Sequence, residues 1–147
     1  MAHEIKLPHG PRARFLDTIV EIDTENMLVT ATGHFNGDGV ILERDHFPGR
    51  PMMMGALQIE AMAENAIQLA QAMPGYENKR FVLAGVDDCI FRRPIESTEK
   101  EPEKEIIHNA AVFFNPDQKS GWACCSTTVK DRLVSRAMIS FMVANQK

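Results

Sequence analysis

No uninterrupted apolar run in this sequence approaches the roughly 20 residues that a membrane span requires, because Glu, Gln, Asn or Gly breaks each of the longer ones. A soluble chain is expected. Positive charge is not in excess either: 16 Lys+Arg stand against 20 Asp+Glu for a formal net charge of -4, which argues against a protein that works by bulk attraction to nucleic-acid phosphates. Cysteine is scarce. The three present, Cys89, Cys124 and Cys125, are odd in number, two are adjacent and none has C-x-x-C spacing, so neither a disulfide framework nor a zinc site is indicated. Reduced, packed thiols and no metal are expected. The opening MAHEIKLPHGPRARF lacks the apolar core of about 7 residues that a secretory signal needs, and a cytoplasmic location is expected. What remains, 147 residues with 44% hydrophobic and 24% charged, is the make-up of one globular domain spanning residues 1–147 with one core.

Residues 1–12 carry Pro8, Gly10 and Pro11 and read as an irregular leader. From 13 to 32, Phe15, Ile19, Ile22, Leu28 and Val29 flank the polar stretch Asp23-Thr24-Glu25-Asn26, a hairpin pattern. GHFNGDG at 33–39 reads as a loop, 40–42 as a short apolar run, and 43–51 as an irregular segment with two prolines. The sequence then predicts one long helix from 55 to about 73, GALQIEAMAENAIQLAQAM, built of good helix formers and stopped by Pro74-Gly75. Apolar residues occur on nearly all its faces, so it should be wrapped by other elements. Strands are predicted at 80–84, 89–93, 106–114, 122–129 and 133–143, the last two joined as a hairpin by Lys130-Asp131-Arg132. In the final strand one face carries Leu133, Ser135, Ala137, Ile139, Phe141 and Val143. Between Ile95 and Ile106, ESTEKEPEKE has five Glu and two Lys in ten residues and reads as a solvated loop. The fold class is α+β, one antiparallel sheet curled around one helix, and its free edge invites pairing between chains.

Within the predicted helix Glu60 and Glu64 stand at i and i+4, on one face. In an apolar setting, desolvation and mutual repulsion raise the pKa of such a pair and make a proton donor near neutrality. With Asn65 and Gln68 the same stripe would also suit solvent or a subunit partner. The helix start, Pro51-Met52-Met53-Met54-Gly55-Ala56, offers no Ser, Thr, Asp or Asn cap. Its free amides at the positive end of the helix dipole would suit a carbonyl oxygen that gains negative charge. His46 lies just upstream between prolines, fourteen residues before Glu60. A histidine there could act as a base, or be structural.

HFPGRPMMMGALQIEAMAE resembles the active-site signature of the 3-hydroxyacyl-[acyl-carrier-protein] dehydratases of fatty acid synthesis, hot-dog folds in which a sheet wraps a long central helix. The resemblance extends more thinly to Leu7-Pro8-His9 with Phe15-Leu16-Asp17, and to Leu83-Ala84-Gly85-Val86-Asp87 followed by Phe91-Arg92-Arg93-Pro94. It implies syn elimination of water from a (3R)-3-hydroxyacyl thioester. His46 would take the C2 proton, Glu60 would protonate the departing hydroxyl, and the Gly55 N–H would polarise the thioester carbonyl. It further implies no metal or organic cofactor, a substrate carried on phosphopantetheine, and an active site shared across a homodimer or a trimer of dimers, with a hetero-oligomer as a further option. Met53, Leu57, Ile59 and Met62 are candidate acyl-tunnel residues beside Glu64, with Phe91 as a gate. Arg92, Arg93, Lys79 and Arg80 are candidates for contact with an acidic acyl carrier protein.

The chain departs from that family pattern at five places. Met54 replaces a Pro before the helix-start Gly, Asp45 replaces a Gly before His46 and should raise its pKa, Glu64 replaces a Gln, and ESTEKEPEKE replaces a Pro-Gly-Asp turn. Upstream, Leu42-Glu43 stands where the family has an aromatic pair. Two competing readings follow: a hot-dog acyl thioesterase, or a catalytically silent hot-dog subunit that binds acyl chains or completes a hetero-oligomer.

Overall fold

A computed structural model of the protein describes residue 5 and residues 14–37 and 46–144. The leader motif Leu7-Pro8-His9, the apolar run at 40–42, Leu42-Glu43 and Asp45 lie outside the described residues. The elements are β1 (Thr18–Asp23), β2 (Leu28–Phe35), α1 (Gly55–Ala72), β3 (Arg80–Phe91), β4 (Lys104–Phe114), β5 (Ser120–Val129) and β6 (Arg132–Ala144). All six strands form one sheet in the order β1-β2-β4-β5-β6-β3, with each neighbouring pair antiparallel. The expected α+β hot-dog arrangement is present.

The 18-residue helix matches its predicted span, and residues 61–70 are all buried. Burial on every face is possible because the sheet residues beneath it are small. Ala110, Cys125 and Ala137 face one another across β4, β5 and β6, each is buried, and the Cys125 thiol lies 4.0 Å from the Met62 carbonyl oxygen. Larger residues flank that trough: Val112 and Ile139 in the next row, then Phe141. The Phe141 ring meets those of Phe81 and Phe114 edge-on at 5.7 and 5.6 Å and closes the far end of the core. In β6 the predicted inner face holds for Ser135, Ala137, Ile139 and Phe141. Val134 is buried as well, because the register slips between Thr127 and Thr128 on β5 and turns the neighbouring residue inward.

Three boundaries differ from those predicted. β2 runs on through Gly33-His34-Phe35, which pair with Ile106, Glu105 and Lys104; the glycine and polar residues that suggested a loop are tolerated because a partner strand supplies the hydrogen bonds. Segments 80–84 and 89–93 are one strand, β3, ending at Phe91. Its Gly85, Asp87 and Asp88 are poor strand formers, and register shifts at Leu83/Gly85 and Asp87/Ile90 absorb them. Finally, ESTEKEPEKE is not simply a solvated loop. Met52 bridges to Glu96, Ser97 N–H donates to Pro51 O at 3.0 Å, and Glu101 pairs with both Lys104 and Lys130, which hold its carboxyl down at about 2.

β3 lies at the end of the sheet order. Val82, Leu83, Val86, Ile90 and Phe91 along it are exposed by 37 to 48%, an apolar open edge of the kind that pairing covers. No helix among the described residues is long and apolar enough to cross a membrane. The packing at the closed end of the core gives a first prediction. Phe141→Ala should lower stability in urea unfolding by about 3–5 kcal/mol, the usual cost of deleting a buried aromatic ring; a loss under 1 kcal/mol would mean that the ring carries little of the core.

Candidate active site

His46 opens a tight loop closed by hydrogen bonds between Phe47 and Arg50, with Arg50 N–H to Phe47 O at 2.9 Å. The loop is clamped from outside. Arg50 places Nε 3.0 Å from Glu96 Oε2 and Nη2 2.9 Å from Oε1, a forked pair, while Met53 N–H donates to Ile95 O at 2.9 Å. The acidic segment after β3 is therefore a brace for the histidine loop. Met52 N–H donates to His46 O at 2.9 Å, and His46 Nδ1 lies 3.2 Å from Met52 O. A carbonyl oxygen only accepts, so Nδ1 carries the proton and Nε2 keeps the basic lone pair. The ring is half-buried and stacks on Phe47 at 4.6 Å between centroids.

Two residues further on, α1 begins without a side-chain cap: Met54 is its N-cap, and the first bonds back to Met54 O come from Leu57 and Gln58 at 3.0 and 3.2 Å. That leaves the Gly55 and Ala56 amides to serve an outside acceptor. The Phe91 ring sits close against Gly55. A Cβ on this glycine would lie 2.7 Å from Phe91 Cζ, so the Phe91 ring rests on the helix start. Phe91 is itself 48% exposed and free on its outer side. The residue read as a gate thus lies against the helix start whose amides are read as a carbonyl site.

Glu60 is half-buried about 7.5 Å along the helix axis from Gly55. Glu64, one turn later, is completely buried. Its Oε2 accepts the Phe15 N–H at 2.8 Å, and its Oε1 has no hydrogen-bond partner among the described residues. Burial is the largest influence on this carboxyl and pushes it up to about 7, with the Glu60 charge adding to the rise and the backbone amides and Arg14 opposing it. Phe15 is held on its other side by Gly33, where a Cβ would sit 2.6 Å from Phe15 O and 3.8 Å from His108 Nε2. His108 is buried in an apolar setting that pushes it down to about 4, so it stays neutral. Its Nδ1 is 2.9 Å from Thr127 Oγ1. Thr127 faces Ser135 across β5 and β6, and Ser135 Oγ donates to Gln58 Oε1 at 2.7 Å. This buried polar row under the helix start escaped the sequence reading because its members come from four elements.

The remaining candidates divide. Met53 and Leu57 lie together with Phe35, Ile95, Ile106 and Val134 in a cluster at the helix start, whereas Met62 belongs to the main core and Ile59 packs against it. Arg92 and Arg93 follow Phe91, with Arg92 N–H donating to Val134 O at 2.7 Å and Arg93 Nη1 to Leu133 O at 2.8 Å. Lys79 and Arg80 are at the opposite end of the 12-residue β3, roughly 35 Å away along the strand, so one chain does not gather the four cations. Its own basic recess is a cavity of about 490 Å³ lined by Arg93, Pro94, Val129, Lys130, Arg132 and Val134. Lys130 and Arg132 read as turn residues in the sequence; only the hairpin's return to Arg93 gives them this company. Cys89, Cys124 and Cys125 are free thiols, but only Cys125 is packed as expected, where burial pushes it up to about 12; Cys89 is half-buried and Cys124 exposed.

Residues 7–134 match the family model described as a FabA-like domain. A 3-hydroxyacyl-[acyl-carrier-protein] dehydratase FabZ of Anaeromyxobacter dehalogenans is 35% identical over 145 residues, 96% of this chain and 87% of that protein. One of Herpetosiphon aurantiacus is 35% identical over 89 residues, and that match spans 60% of this chain and 62% of the relative's length. Among solved structures, the dehydratase heterocomplex ApeI:P from Xenorhabdus doucetiae superposes with a TM-score of 0.69 at 15% identity, covering 95% of this chain and 89% of that one.

The buried carboxyl sets a pH dependence. An unfolded Glu64 ionises near 4.5 but the folded one holds its proton to about 7, so the folded state binds more protons in that window and stability falls as pH rises through it. Glu64→Gln should remove this fall and raise the melting temperature more at pH 8 than at pH 5. Equal shifts at both pH values would show that Glu64 is not the group responsible.

Proposed function

The chain belongs to the FabA-like family, and from that membership we propose that it dehydrates (3R)-3-hydroxyacyl thioesters, carried on acyl carrier protein, to trans-2-enoyl thioesters. The observation that carries this reading is a histidine whose Nδ1 is engaged by the Met52 carbonyl, just upstream of an uncapped helix start, on a helix that also carries Glu60. The thioester carbonyl sits at the Gly55 amide, where the dipole and the free N–H stabilise the negative charge that develops on its oxygen. That stabilisation makes the C2 proton acidic enough for His46 Nε2 to remove. The electron pair of the C–H bond forms the C2–C3 double bond as the C3–O bond breaks, and Glu60 supplies the proton that lets the hydroxyl leave as water. Elimination ends with His46 protonated and Glu60 ionised, and proton exchange with solvent restores both. An acid and a base suffice, so the reaction needs no metal and no organic cofactor.

Phe91, lying on Gly55, must swing outward to admit the acyl chain, and its exposed outer side allows that motion. Met53 and Leu57 then form the wall nearest the thioester, with Ile59 and Met62 deeper. The open edge of β3 supports a homodimer in which two copies of this strand pair antiparallel. Such pairing would bring Lys79 and Arg80 of one chain to Arg92 and Arg93 of the other, because these pairs mark opposite ends of β3. With Lys130 and Arg132 they form a basic mouth suited to an acidic carrier protein and its phosphopantetheine.

Incubation with carrier-bound (3R)-3-hydroxyacyl thioesters should give products lighter by one water, read by mass spectrometry. His46→Ala and Glu60→Gln should each lower that rate by about 10²–10⁴-fold with the fold intact. Near-normal turnover in either variant overturns its assigned role. Release of free thiol without an enoyl product would instead identify a thioesterase, and acyl binding with no turnover a silent subunit.

A further inference from the structure

Three consecutive peptide units carry the chain from the histidine loop into α1, and they are not held alike. Met52 O lies 3.2 Å from His46 Nδ1 and Met53 N–H donates to Ile95 O at 2.9 Å, so the Met52–Met53 unit is pinned on both sides. Met54 O accepts the Leu57 and Gln58 N–H groups at 3.0 and 3.2 Å, which pins the Met54–Gly55 unit. Across a trans peptide the N–H points opposite to the C=O, so those bonds aim the Gly55 N–H out of the helix start. The Met53–Met54 unit between them has a single hold among the described residues. Met53 O accepts from Gln58 Nε2 at 3.4 Å, and Met54 N–H donates to no backbone carbonyl among those residues.

The reach of Gln58 follows from its place in the first turn of α1, where a helical side chain leans toward the N-terminus and meets a carbonyl five residues back. Its other end is fixed by β6. Ser135 Oγ donates to Gln58 Oε1 at 2.7 Å, and the two residues are only 3% and 0% exposed. A side-chain amide cut off from water keeps the partners it has, so the Gln58 amide holds one orientation and the Met53–Met54 unit holds it too. The effect falls on Met54. Its φ is -60°, inside the range that a proline ring would impose, yet methionine has no ring to impose it. That angle sets how the Gly55 amide lies relative to the peptide that orients His46. We propose that Gln58, steadied by Ser135, is a positioning residue for the dehydration, its side-chain amide fixing the Met53–Met54 peptide and through it the placing of the Gly55 N–H relative to His46. This role rests on the dehydratase reading above, in which the carbonyl binds at Gly55 while His46 removes the C2 proton.

The full-length chain is tested as wild type, Gln58→Leu and Ser135→Ala, each with and without Met54→Pro, with circular dichroism reporting an intact fold. On a carrier-bound (3R)-3-hydroxyacyl thioester, Gln58→Leu should lower kcat by about 10–100-fold, as a misplacement on the order of 1 Å does, and leave KM little changed. Ser135→Ala loosens the amide without removing it and should lower kcat by less. Met54→Pro supplies the φ that the bond held, so in its background both losses should shrink to about threefold or less, a coupling read as a double-mutant cycle. Losses of equal size in both backgrounds, a rise in KM in place of the fall in kcat, or full activity in Gln58→Leu overturn the proposal. Should Gln58→Leu not fold, Ser135→Ala carries the same comparison. A second measurement separates this role from the reaction itself. In amide proton–nitrogen spectra Gly55 should give one sharp signal in wild type, a broadened or split one in Gln58→Leu or Ser135→Ala, and one sharp signal again once Met54→Pro is added. Absence of enoyl product from wild type would overturn the dehydratase reading, whereas a Gly55 signal equally sharp in every variant overturns the positioning role whether or not the chain turns over.

Discussion

Burial of α1 on every face is the constraint on which the rest depends. A helix can be enclosed by one sheet only if the sheet curls and if the residues beneath it are small, and Ala110, Cys125 and Ala137 meet the second condition in adjoining strands. Enclosure also decides what the polar residues of the helix can be. Gln58 must find Ser135, Glu64 must find the Phe15 amide, and a carboxyl so placed keeps its proton to about 7. A group that faces water would titrate in the ordinary carboxylate range; the same group inside keeps its proton well above that range.

The start of the helix escapes that enclosure, and the candidate site residues His46 and Gly55 are gathered there. Its amides lie at the rim of the sheet, where the histidine loop enters and β3 ends. Three segments converge, of which only the second is remote in sequence from the others: 46–54, 91–97 and the first turn of α1. The forked Arg50–Glu96 pair and the Met53–Ile95 bond tie the first two together. A base on an irregular loop is useful only if the loop is held, and here the holding is done by the segment whose composition looks least structural. Positioning of a few tenths of an ångström matters because proton removal requires hydrogen-bond reach.

Much of this was legible in the chain. The helix, the hairpin turns at 23–26 and 130–131, and the strands β4, β5 and β6 follow from local pattern, since helix formers, β-branched runs and turn residues act over a few neighbours. His46, Gly55 and Glu60 were legible because their spacing is itself local, lying within fifteen residues. Less was legible at β3, where Gly85, Asp87 and Asp88 weaken a strand signal that pairing with β6 overrides. In the acidic segment, composition pointed to solvent and partner geometry gave Glu96 and Glu101 definite counter-charges.

The sequence by itself determined the identity of the elements and singled out the candidate acid, the candidate base and the uncapped helix start, because each depends on residues close together in the chain. Only the tertiary structure decided that Phe91 lies on Gly55, that Glu96 braces the histidine loop, and that Lys130 and Arg132 join Arg93 while Lys79 and Arg80 stand apart. These are contacts between residues roughly forty apart, set by sheet order and by register across strands. A one-residue change of register would turn each side chain to the opposite face, so no inspection of local composition could have assigned them.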